Sequence, residues 1–183
     1  MKHGTRKIPI RRSGFAPDNL SPEILKGIGE VVACWSYVEF QLRVVIREAL
    51  NISMTAGLIL MTDLRIHPLC EAARAAAQDP SCCGDEHMRA EIVALANDIN
   101  GKAQLRHDFA HGVFGFVIKE DSSQLYRFVT KKPSQRVTPQ WEPVSLSMLK
   151  EMADEAYNLG VRAQDLTVKL KSWKRSAVRV RPR

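Results

Sequence analysis

At 183 residues, with 45% hydrophobic and 26% charged side chains, the chain is long enough for one domain with a sizeable core and fits a soluble globular protein. The apolar runs, Leu58 to Met61 with Ala56 and Gly57 before it among them, are far too short to span a bilayer, and the basic stretch Met1 to Lys7 is followed by no apolar segment of a secretory signal. We therefore expect a cytoplasmic protein that makes no use of a membrane and keeps its four cysteines reduced.

The net charge of +7 is unevenly spread. Residues 1–13 carry five Lys/Arg and no acid, and residues 169–183 carry seven and no acid. Those twelve taken from 27 leave fifteen basic residues against 20 acidic ones in between. Basic ends attract nucleic acid or anionic surfaces through a non-specific, salt-sensitive term, or serve only as solubilising tails. The expected organisation is a basic, largely disordered segment over 1–19, a helical domain over 20–171, and a basic tail over 172–183.

In chain order, Ser21 is a good N-cap, Pro22 suits the first helical position and Glu23 favours the positive helix end. Ile28, Val31, Trp35, Val38, Leu42 and Val45 then repeat three and four apart, one stripe of an amphipathic helix running to about Leu50. Asn51-Ile52-Ser53 reads as a turn, with Ser53 capping a shorter apolar helix through Met61. Pro68 opens an alanine-rich helix that stops before Asp79-Pro80. Cys83-Gly84-Asp85 starts a long helix, in which Asn100-Gly101 is a candidate kink and Gly112 a terminator. Cys82, Cys83 and His87, even with Cys70, follow no usual zinc spacing, so no metal is expected.

Two β-prone runs, Val113 to Ile118 and Gln124 to Thr130, flank a polar turn and predict a hairpin over about 113–130. Lys131 to Pro143 holds three prolines and no periodicity and predicts a loop. A last helix starts near Ser145 or Ser147; in it Leu149, Met152, Ala156, Leu159, Ala163, Leu166, Leu170 and Trp173 alternate three and four apart. The predicted fold is mainly α, an antiparallel bundle of four to five helices with one appended β-hairpin. Trp141 and Trp173 are read as anchors of the hairpin and the closing helix.

The chemistry concentrates in Arg106-His107-Asp108-Phe109-Ala110-His111-Gly112, at the end of the long helix. An arginine keeps its charge and can neutralise a phosphate; a histidine titrates near neutrality and can take or give a proton. Arg106 lies seven residues after Ile99, within about 20° of the apolar stripe Met88, Ile92, Leu95, Ile99. An arginine so placed needs a partner or a wet cleft, and Glu39 on the first helix is the candidate partner. His107 and His111 are four apart and share a face. The bland alternative is that His111 merely complements the helix's negative end while Arg106 and Glu39 form a structural ion pair.

Arg106 through His111 resembles the signature of HEPN-domain proteins: an arginine, four to six residues, then a histidine, with a polar residue, here His107, directly after the arginine. Ala110-His111-Gly112 and Trp35-Ser36-Tyr37-Val38-Glu39 are similar to small bacterial and phage members, and the likeness covers about residues 20–170. The resemblance implies a metal-independent endoribonuclease without cofactor, acting as a homodimer whose two motif helices meet across a two-fold axis. It implies His111 as general acid or base near the RNA 2′-hydroxyl, Arg106 on the scissile phosphate and His107 polarising the site. Asp108 would hold a histidine tautomer or cap a neighbouring helix, and Glu39 would support Arg106. Lys131, Lys132, Lys171, Lys174 and Arg175 are the candidate contacts to RNA, although Lys131-Lys132 also reads as a solvated turn. RNA is the implied substrate, and a toxin–antitoxin or phage-defence role would add an antitoxin protein as partner. The alternative is a non-catalytic HEPN-like module that binds nucleic acid or protein, or dimerises.

Overall fold

The computed structural model describes residues 20–83, 85–111, 114–119, 122–131 and 138–179. Within these, the side chains at 105–108, 110–111, 114–119, 122–124, 128–131, 138–141 and 177–179 lie outside the description, as does the whole segment 1–19.

The first helix, α1, spans Pro22–Leu50. The Ser21 hydroxyl accepts the Ile24 N–H at 3.3 Å and Pro22 occupies the first turn, so two of the end's unsatisfied positions are dealt with locally. Its three-four stripe faces inward: Val31, Trp35, Val38, Leu42 and Val45 are buried. Asn51 ends it in the left-handed region (φ 55°), where its N–H reaches the carbonyls of Arg47 and Glu48. The next helix, α2, spans Met54–Met61 and is capped by the Ser53 hydroxyl, which accepts the Ala56 N–H at 3.2 Å. It doubles back along α1. Arg43 donates to the carbonyls of Met61 (3.1 Å) and Leu64 (2.9 Å), and the Arg47 stem lies against Gly57.

Helix α3, Ile66–Gln78, begins two residues before Pro68, which therefore falls in the first turn, where a missing N–H costs nothing. Helix α4, Glu86–His111, is started by the Asp85 carboxylate, which accepts the Met88 N–H at 2.9 Å. It runs unbroken through Asn100-Gly101, so the candidate kink does not form. Side chains on either side of Gly101 are tied to neighbouring helices: His67 Nδ1 is 2.8 Å from Asn100 Oδ1, and Lys102 pairs with Glu155.

The strands β1 (Phe114–Lys119) and β2 (Ser122–Lys131) form the predicted hairpin, in register from Phe114↔Arg127 to Lys119↔Ser122. The proline-rich stretch, predicted as a loop, adds a third strand, β3 (Thr138–Pro143), antiparallel to β2 from Lys131↔Thr138 to Tyr126↔Pro143. The sheet order β1-β2-β3 makes it an edge strand, the position where proline is tolerated because one side of the backbone is unpaired.

The last helix, α5, spans Leu146–Arg179; the Ser145 hydroxyl accepts the Met148 N–H at 3.1 Å. Leu149, Met152, Ala156, Leu159, Ala163, Leu166 and Leu170 are all buried, and Trp173 packs against the core from a half-buried position. The basic tail expected over 172–183 is therefore helix as far as Arg179.

Side-chain pairs give the helix directions. Arg43 with Met61 sets α2 antiparallel to α1, and His67–Asn100 with Arg74–Asn97 sets α4 antiparallel to α3. Lys102–Glu155, Asp98–Arg162 and Glu91–Lys169 set α5 antiparallel to α4. Among the described residues the helices alternate in this way and bring the first and last into parallel: Gly27 meets Leu149, Tyr37 meets Gly160, and Glu48 meets Lys174. That α1–α5 pairing is the most extensive between helices. The sheet closes the end of the bundle where α4 stops.

Candidate functional site

The motif occupies the last turns of α4. The stripe of Met88, Ile92, Leu95, Ala96, Ile99 and Ala103 is buried along the bundle. Position 106 continues that stripe by three residues from Ala103 and seven from Ile99. Phe109, three residues further on, is 2% exposed and marks where the helix leaves the bundle for the sheet. The Arg127 guanidinium of β2 lies 5.0 Å from the Phe109 ring centre, a cation–π contact, and donates to Glu142 of β3 at 2.8 Å. Arg127 and Glu142 are directly opposed across the β2–β3 ladder. This clamp fixes the sheet against the motif helix. Nothing in the local sequence announces it, because Glu142 falls in a proline-rich stretch without strand periodicity.

On the other side of α4 lies a cleft of about 650 Å³. Its walls are Glu39 and Arg43 of α1, the connection Thr62 to Arg65 with the start of α3, and Asn100, Ala103 and Gln104 of α4. Helical spacing puts positions 107 and 111 on the same side of α4 as Asn100 and Gln104: 107 is seven residues from Asn100, and 111 is seven from Gln104. The side of α4 that lines the cleft at Asn100 and Gln104 is thus the side on which positions 107 and 111 fall. That spacing is readable in the sequence; the wall opposite, from α1 and the α2–α3 connection, is not.

The cleft mixes charges. Glu39 and Arg43 face each other at 3.8 Å, four residues apart on α1, with both side chains mostly buried. Arg43 is held in place by the two carbonyls it bonds after α2. His67 is exposed, bonded to Asn100 through one ring nitrogen and 3.8 Å from Glu71 at the other. Arg65 is exposed, with no ion pair among the described residues. The lining therefore holds donors and acceptors of both signs in a space large enough for a nucleotide-sized ligand.

The backbone of Arg106, His107, Asp108 and His111 lies in the final turns of α4, and their side chains lie outside the described residues. So does the proposed Arg106–Glu39 contact; the ion pair described for Glu39 is with Arg43. Lys131 ends β2 opposite Thr138 with its side chain outside the description, and Lys132 and the Trp141 side chain also lie outside it. At the far end of the bundle, Lys171 and Arg175 are exposed on α5, Lys171 standing 3.9 Å from Glu48. Lys174 serves the fold itself. Its ammonium donates to the Glu48 carbonyl and, at 3.1 Å, to Asn51 Oδ1, satisfying the end of α1. Burial holds its pKa below the usual lysine value, against the opposing pull of Glu48.

Cys70 and Cys83 are buried, and Cys34 and Cys82 half-buried, all as free thiols. Burial pushes the Cys70 thiol up to about 11. Among the described residues no three His, Cys, Asp or Glu side chains gather as a cation site requires, and no helix is long and apolar enough to cross a membrane. Comparison with protein-family models, with curated proteins and with solved structures finds no significant match.

Proposed function

We propose that this chain is a metal-independent endoribonuclease of HEPN type, working as a homodimer in the cytoplasm in a toxin–antitoxin or phage-defence setting. The observation that supports the reading is helical spacing: positions 107 and 111 fall on the same side of α4 as Asn100 and Gln104, which line the cleft, and position 106 continues the buried stripe. In this reading His111 takes the proton of the RNA 2′-hydroxyl, whose oxygen attacks phosphorus while the 5′-oxygen leaves and receives a proton. Arg106 neutralises the charge that develops on the phosphate, and His107 polarises it. RNA supplies its own nucleophile, so the reaction needs neither a metal nor a covalent enzyme intermediate.

The test is to incubate the purified full chain with total RNA in EDTA and map the ends. Cutting with 2′,3′-cyclic phosphate ends, inertness of a 2′-deoxy substrate, and a loss of about 10²–10⁴ in rate for His111→Ala are expected. Undiminished cutting by folded His111→Ala overturns the assignment. The exposed apolar face of α2 favours a second reading, an association module without catalysis; a folded protein that never cuts RNA but binds it or another protein would establish that instead.

A further inference from the structure

Glu39 and Arg43 stand on successive turns of α1 and both line the cleft beside α4. Their side chains are only 16% and 21% exposed, and their charges lie 3.8 Å apart. Arg43 is fixed, because its Nε and Nη2 donate to the carbonyls of Met61 and Leu64; its Nη1 makes no hydrogen bond among the described residues. A carboxylate has about four acceptor sites, so ion pairing does not exhaust Glu39. Between these polar groups the cleft offers apolar surface from half-buried Leu64 and Ile66 and buried Ala103. The His67 ring is pinned by Asn100 at one nitrogen and stands near Glu71 at the other, so its face is fixed as well. Two carboxylates in the lining, Glu39 and Asp63, balance two guanidiniums, Arg43 and Arg65. A cleft without net charge is poorly matched to a polyphosphate and well matched to a base with a single phosphate.

We propose that this cleft holds a guanine base of the RNA beside the scissile phosphate, an inference that rests on the nuclease reading above and adds a base preference to it. Along its pairing edge guanine shows an acceptor, O6, and then two adjacent donors, N1–H and the N2 amino group. A carboxylate is a pair of adjacent acceptors, so Glu39 takes both donors while Arg43, beside it, donates to O6. No other RNA base has two adjacent donors on that edge. Adenine, cytosine and uracil each set at least one lone pair against the carboxylate. Partial burial of Glu39 and Arg43 strengthens the matched hydrogen bonds and penalises the mismatched ones. The base stacks on the fixed His67 ring, and exposed Arg65 meets a phosphate of the same strand. Positions 107 and 111 follow Gln104 by about 4.5 and about 10.5 Å along the axis of α4, within reach of a neighbouring nucleotide.

Brief digestion of an RNA holding all four bases, with the ends mapped, should give cuts beside guanosine at least about tenfold over those beside other bases. Inosine lacks only the N2 amino group; placed at those guanosines it should slow cutting about tenfold or more, with the protein untouched. Glu39→Gln turns one acceptor into a donor, the pattern that adenine matches. The preference should move from guanosine towards adenosine, which a purely structural Glu39 could not produce. For binding, the full-length His111→Ala chain is dialysed against labelled mononucleotides. GMP should bind at least about tenfold tighter than AMP, CMP or UMP, and a guanosine-bearing oligonucleotide should displace it. GMP that RNA fails to displace would assign the cleft to a free nucleotide and overturn the proposal. Cutting without guanosine preference, or a preference that inosine and a folded Glu39→Gln leave unchanged, sinks this inference and leaves the nuclease standing. Displaceable GMP binding by a wild-type chain that never cuts RNA does the reverse: the guanine site stands and the nuclease falls.

Discussion

Arg106 and His111 make different demands at the scale of one residue. The position of Arg106 continues a buried stripe, so Arg106→Ala would remove the proposed phosphate ligand and also alter a place where the bundle hands over to the sheet. Loss of cutting by that variant is informative only beside an unchanged circular dichroism spectrum, whereas position 111 is the last of its helix. Cys70 allows a cleaner test. A thiol raised to about 11 is thiolate in about one molecule in a thousand at pH 8. Iodoacetamide should therefore label half-buried Cys82 in the native protein and spare Cys70 until denaturant is added, as read by mass spectrometry. The sign for stability follows: the folded pKa lies above the ordinary 9.0, so the folded state holds the proton more tightly. The contribution is complete below pH 9 and lost as pH rises towards 11. The thermal midpoint should fall across that window, less steeply in Cys70→Ala.

Two glycines separate helix propensity from packing at the scale of the element. Gly101 lies exposed in α4 with nothing within 4 Å of where a Cβ would stand. Gly101→Ala should stabilise the protein by about 0.5–1 kcal/mol, since alanine loses less backbone freedom in a helix. Gly160 is the opposite case. A Cβ there would stand 2.3 Å from Tyr37 Cδ1, and that ring is held by its hydroxyl, which donates to Gln164 at 2.6 Å, and by stacking on Tyr157. Gly160→Ala should cost about 1–3 kcal/mol through overpacking of the α1–α5 seam. Denaturant melts of the two variants check both signs. A destabilised Gly101→Ala would mean that α4 needs freedom near its motif.

For the whole molecule, the basic C-terminal run is not a removable tail. Leu170 is in the core, Trp173 packs against it and Lys174 completes the end of α1. Truncation after residue 168 should unfold the protein rather than report on RNA. The right probe is charge reversal at exposed Lys171 and Arg175 together with deletion of residues 1–13. If the basic ends hold RNA, these changes should weaken binding mainly at low salt and flatten the dependence of log affinity on log salt by about 0.7–0.9 for each lost phosphate contact. An unchanged slope in filter binding would show that the ends do not touch RNA.

The sequence by itself determined the helices, because each carries its own instructions. Ser21, Ser53, Asp85 and Ser145 cap the helix starts, Asn51 ends α1, and the three-four stripes of α1 and α5 leave one inward face. It also determined that positions 107 and 111 share a helix side, since that depends on spacing alone. Only the tertiary structure decided the rest. Strand β3 exists because β2 offers it a partner at the sheet edge, which outweighs its prolines. Gly101 leaves α4 intact because His67 and Glu155 hold the residues beside it. The cleft's second wall and the Arg127–Glu142 clamp on Phe109 join residues from 15 to more than 50 positions apart. Such pairings are set by how helices pack, and packing leaves no local period in the chain to read.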